Sequence, residues 1–77
     1  MVEVTRRQFD LVDFINRFYA IHKKTPSIST IALNIKTTPS SVHNIMQRLI
    51  EIGVIERDYY SRKYKVVKEV TTEKAEY

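Results

Sequence analysis

At 77 residues and 43% apolar composition, the chain has material for one domain with a single core built from a few helices. It contains no cysteine, which excludes disulfides, thiolate-bound zinc and a cysteine nucleophile. A net charge of +4 and a pI near 9.5 make a polyanion a natural partner.

The first predicted element is a helix over about Arg6–His22, with Thr5 as its N-cap. Leu11, Val12, Phe14, Ile15, Phe18, Tyr19 and Ile21 fall on one broad side at 100° per residue. Arg6–Asp10 and Asp13–Arg17 stand at i,i+4 spacing on a solvated face. Such an apolar arc is wider than an ordinary surface helix needs, so the helix is either central to the bundle or meets another subunit. Lys23-Lys24-Thr25-Pro26 ends it, because the residue before a proline avoids the α region. Ser27 then caps a short second helix with Ile28, Ile31, Ala32 and Ile35 on one side. After a break at Lys36-Thr37, Thr38 caps a third helix that has Pro39 at its first position. Val42, Ile45, Met46, Leu49 and Ile50 repeat at helical spacing in it, and Gly53, the single glycine, suits the left-handed stop.

From Val54 the period changes. Val54–Tyr59 and Lys63–Val67 are rich in β-branched and aromatic residues and predict two short strands, with Tyr60-Ser61-Arg62 turning between them. Tyr59, Tyr60 and Tyr64 are expected to pack in that small sheet. Glu69–Tyr77 offers little to bury and predicts a frayed tail, so the domain is expected over residues 1–68 and the tail over 69–77. The fold class is therefore mainly α with a small β-hairpin: a three-helix winged helix-turn-helix.

Charge is placed within this pattern. Residues 57–68 hold Arg57, Arg62, Lys63, Lys65 and Lys68 against Asp58, an excess of +4 that equals that of the whole chain. The third helix, about residues 38–52, turns Ser40, Ser41, His43, Asn44, Gln47 and Arg48 outward. Amide, hydroxyl and imidazole groups of this kind can bond to base edges in a major groove. Ser40, Ser41, His43, Asn44 and Gln47 are the candidate base contacts. The candidate backbone and wing contacts are Ser27, Thr38, Arg48, Arg57, Ser61, Arg62, Lys63 and Lys65, through phosphates or, at Arg62, a narrow minor groove. The alternatives are an ordinary polar helix face and edge strands that carry lysine against aggregation. His22 and His43 have no partner at metal-ligand spacing, and no phosphate-cradling glycine loop, nucleophile with a base, or paired carboxylates are present. No cofactor, metal, small-molecule substrate or enzyme activity is expected.

The order of these elements resembles the N-terminal DNA-binding domain of LexA-type repressors. The residues that carry the likeness are Thr5-x-Arg7-Gln8, then Asp13 and Ile15, Pro26-Ser27, Ile31-Ala32, Pro39-Ser40, Leu49, Gly53-Val54-Ile55-Glu56 and Ser61-Arg62-x-Tyr64-Lys65-Val66-Val67. The likeness spans roughly residues 4 to 67. It implies a DNA-binding regulator, a recognition helix opening at Pro39 and a wing entered through Gly53. This chain lacks the family's wing glycines and carries His43 and Asn44 where the family has two acids, which implies a different operator. Members of the family continue into a self-cleaving serine–lysine protease domain that also dimerises them. The chain stops short of one, which implies an excised domain or a stand-alone regulator that pairs in another way.

The expected function is a sequence-specific regulator of transcription, a repressor, binding double-stranded DNA as a homodimer, with Phe14, Phe18 and Tyr19 as the dimer contact. The alternative is a winged-helix module that docks on a protein of a transcription or replication assembly. No apolar run approaches the roughly 20 residues that cross a bilayer, and the N-terminus lacks the features of a signal peptide. A cytoplasmic protein, associated with the nucleoid when on DNA, is expected.

Overall fold

A computed structural model describes residues 1–61 and 63–72. Along these residues run β1 (Val2–Glu3), α1 (Arg6–His22), α2 (Ile28–Asn34), α3 (Pro39–Glu51), β2 (Ile55–Arg57), β3 (Tyr64–Val66) and β4 (Val70–Thr71). The helix boundaries follow from local chemistry. Thr5 Oγ1 accepts from the Gln8 amide at 3.2 Å, and Gln8 Oε1 accepts from the Thr5 amide at 2.9 Å, a reciprocal capping box. Arg6–Asp10 and Asp13–Arg17 pair at 3.2 and 3.1 Å on the wet side of α1. The helix closes on Lys23 in the left-handed region (φ 60°), whose amide donates to the Tyr19 carbonyl at 2.9 Å.

Ser27 Oγ caps α2 by accepting from the Thr30 amide at 3.2 Å. Between α2 and α3 the chain reverses at Lys36 (φ 59°), and the Thr37 amide donates back to the Ala32 carbonyl at 2.9 Å. Arg7 reaches across to donate to the Ile35 carbonyl at 2.6 Å, fixing the end of α2 to the start of α1. Thr38 caps α3 through the Ser41 amide at 3.2 Å, and Pro39 occupies the first turn. At the other end Gly53 (φ 81°) donates to the Ile50 carbonyl at 3.1 Å and Val54 to the Leu49 carbonyl at 2.9 Å. This is the Schellman pattern, and the fully buried Val54 and Leu49 supply its apolar contact.

The core gathers Leu11, Val12 and Ile15 of α1, Ile31 and Ala32 of α2, Val42, Met46 and Leu49 of α3, and Val4, Val54 and Ile55. β2 and β3 form an antiparallel hairpin with Ile55 opposite Val66 and Arg57 opposite Tyr64.

Three features differ from the sequence reading. The apolar arc of α1 is only partly used: Phe14 and Phe18 are half-buried, while Tyr19 and Ile21 lie in solvent. Tyr59 and Tyr60 do not pack in the sheet: β2 ends at Arg57 and both rings stand exposed on the turn. The expected tail does not start at Glu69. Val70–Thr71 runs parallel to β1, because the amides of Val2 and Val4 donate to the Glu69 and Thr71 carbonyls at 2.9 and 2.8 Å. Residues 73–77 of that expected tail lie outside the described residues.

Candidate nucleic-acid interface

The exposed side of α3 is polar from its first turn. Ser40, His43, Asn44 and Gln47 are exposed on it. Ser41 is half-buried, and its Oγ accepts from the Thr38 hydroxyl at 3.1 Å, so the predicted pair Thr38 and Ser41 is engaged in the cap. Arg48 is exposed but pairs with Glu51 at 3.3 Å and borders Glu3 and Thr5 beside β1. It therefore stands apart from the hairpin.

The start of α2, the middle of α3 and the hairpin enclose a groove of about 320 Å³. Ser27, His43, Gln47, Arg57, Lys63 and Tyr64 line it. Two predicted base readers are thus brought together with three of the predicted backbone contacts. Lys65 and Ser61 border a second cleft on the other side of the hairpin, about 780 Å³ in volume, which Arg57 and Lys63 share. Arg62, the remaining predicted wing contact, lies outside the described residues.

The hairpin turns without glycine. The Asp58 amide donates to the Lys63 carbonyl at 2.8 Å, and the Asp58 carboxylate accepts from the Tyr60 amide at 2.9 Å. Ser61 Oγ accepts from the Lys63 amide at 3.3 Å. Side-chain acceptors here do what a left-handed glycine does elsewhere. The hydrogen bond from Tyr60, then that from Ser61, holds the Asp58 carboxyl below the ordinary value of 3.8.

Tyr64 ties this hairpin to the helix-turn-helix. Its hydroxyl donates to the Pro26 carbonyl at 2.6 Å, in the loop just before the Ser27 cap. Burial pushes the phenol up to about 12, against a smaller lowering from a hydrogen bond with Thr25. The Asp58 turn and the Tyr64 tether are both additional to the roles expected of those residues from the sequence. An acidic residue two positions before a donor amide is a signal for the first. The second has no local signal, since its partner lies 38 residues away.

A family model described as the LexA DNA binding domain matches residues 1–62. The chain belongs to this family. Like other LexA-type domains it is a winged helix-turn-helix, three helices with a small antiparallel hairpin, and it is a DNA-binding regulator of transcription. A comparison with curated proteins gives no match. The matched stretch of this LexA-type domain takes in all three helices, β2 and the turn, while β3 and β4 follow it. Among the described residues, no three His, Cys, Asp or Glu side chains are grouped to hold a metal, and no helix is long and apolar enough to cross a membrane.

Proposed function

We propose that this LexA-type domain is a sequence-specific repressor that binds a roughly palindromic operator as a dimer. α3 lies in the major groove, where Asn44 and Gln47 read adenine edges and Ser40, Ser41 and His43 bond to neighbouring bases. The wing, over about residues 54–67, rests on the backbone or the minor groove through Arg57, Ser61, Arg62, Lys63 and Lys65, and Ser27, Thr38 and Arg48 meet phosphates. Occupancy of the groove excludes other proteins from the same site, which is how binding alone represses.

The observation that carries this reading is the groove in which His43 and Gln47 of α3 face Arg57 and Lys63 of the hairpin. One recognition helix contacts only a few base pairs, so tight specific binding calls for two copies on two half-sites. Phe14, Phe18 and Tyr19 of α1, the two phenylalanine rings with centroids 5.9 Å apart, form the surface through which the copies meet.

Selection of sites from random duplex DNA tests the proposal. The wild type is expected to enrich an inverted repeat. Asn44→Ala should lose discrimination of about 1–3 kcal/mol at one or two positions of each half-site, whereas Lys63→Ala should weaken all sequences alike. Absence of any enriched motif would overturn base readout and favour a protein partner.

A further inference from the structure

The cleft on the outer side of the hairpin is bounded by the end of α1 and by the strand face that turns away from α3. Lys23, Lys24, Arg57, Lys63 and Lys65 border it, against the carboxylates of Glu56 and Asp58. Asp58 is engaged with the amide of its own turn at 2.9 Å. Lys23, Lys24 and Arg57 make no ion pair with any described residue, and Lys65, which stands opposite Glu56 in the hairpin register, makes none within 4 Å. The cleft neighbours the recognition groove, since Thr25, Arg57, Lys63 and Tyr64 line both.

These features select among anions. No buried polar side chain without a partner is found among the described residues, and the lysines are exposed and held by nothing. A small anionic ligand is ordinarily fixed by a few placed polar groups in an enclosed site. Exposed lysines on flexible stems suit a row of phosphates, whose recognition is electrostatic and tolerant of position.

We infer that Lys23 and Lys24 at the end of α1, with Lys65 on the hairpin, hold a second stretch of the DNA backbone on the far side of the wing from α3. The inference rests on the DNA-binding reading above and extends it: the duplex straddles the wing, and the end of α1 becomes part of the interface. These contacts add affinity and length of footprint without base preference.

The dependence of the binding constant on salt tests this, measured on the duplex enriched by selection and on a random duplex. Each phosphate contact contributes about 0.9 to the slope of log K against log salt. Lys24→Gln should make the slope shallower by about 0.9, and the Lys23→Gln/Lys24→Gln double variant by about 1.8, with the enriched motif unchanged. Arg17→Gln removes the same charge from the face of α1 where Arg17 pairs with Asp13, and should leave the slope as it is. Phosphate ethylation of the flanking backbone should weaken the wild type and not the double variant. Lysine variants with the wild-type slope, or with no more change than Arg17→Gln, would overturn the inference while leaving the functional reading intact. A wild type with no salt-dependent duplex binding would overturn that reading, and this inference with it.

Discussion

Tyr64 ties the wing to the helices through one hydroxyl, the 2.6 Å bond to the Pro26 carbonyl. Tyr64→Phe keeps the ring and removes the bond, and should lower stability by about 1 kcal/mol in urea unfolding. The pH dependence distinguishes this from a packing effect. The folded-state value is raised from 10.0 to about 12, so the neutral phenol's contribution is complete below 10 and is lost as pH rises through the folded value. The wild type should therefore lose its advantage over Tyr64→Phe across that alkaline range. If the two proteins differ by the same amount throughout it, the hydroxyl has no such part. Gly53 is a second residue whose effect can be isolated. A Cβ there would meet only the mobile Lys68 Nζ at 3.7 Å, so crowding is not the obstacle. The positive φ of 81° is, and Gly53→Ala should cost about 1–2 kcal/mol, seen as a lower Tm. A Tm unchanged by the substitution would mean that the end of α3 can close without a left-handed residue.

The helices were legible in the sequence because each carries its own start signal: Thr5 with Gln8, Ser27 with Thr30, and Thr38 with Pro39 all act locally. The strands β1 and β4 were not legible. Two residues each give no alternation to read, and the pairing joins positions almost the full chain apart. Tyr59 and Tyr60 misled for a related reason. Aromatic residues raise strand propensity, but the Asp58 turn stops β2 before them. The contribution of β4 can be measured by ending the chain after Lys68. The two carbonyl acceptors for Val2 and Val4 and the cover from Val70 would be lost. Loss of about 2 kcal/mol is expected in thermal unfolding, and a Tm equal to that of the full chain would show that β4 adds nothing.

At the scale of the whole molecule, helical period alone placed Ser40, His43, Asn44 and Gln47 on the free side of α3, since Val42, Met46 and Leu49 claim the core. What faces that side depends on tertiary placement. The shared groove with Arg57 and Lys63 needs the hairpin held beside α3, by its core contacts and by the Tyr64 bond to the loop before α2, and no sequence spacing encodes that placement. The breadth of the α1 arc was visible, but its division was not: Leu11, Val12 and Ile15 are buried while Tyr19 and Ile21 remain outside. The β1–β4 pair also has a mechanical consequence. Because the two strands run parallel, residues 1 and 72 leave the ladder at opposite ends. Tension between them drives the strands to slide past each other, loading the bonds at Val2 and Val4 simultaneously. The antiparallel hairpin, pulled apart at Ile55 and Val66, would instead open one bond at a time. A pull on this domain from its two ends thus meets its short terminal ladder as a clamp in shear, while the wing, outside the line of force, keeps its place beside α3.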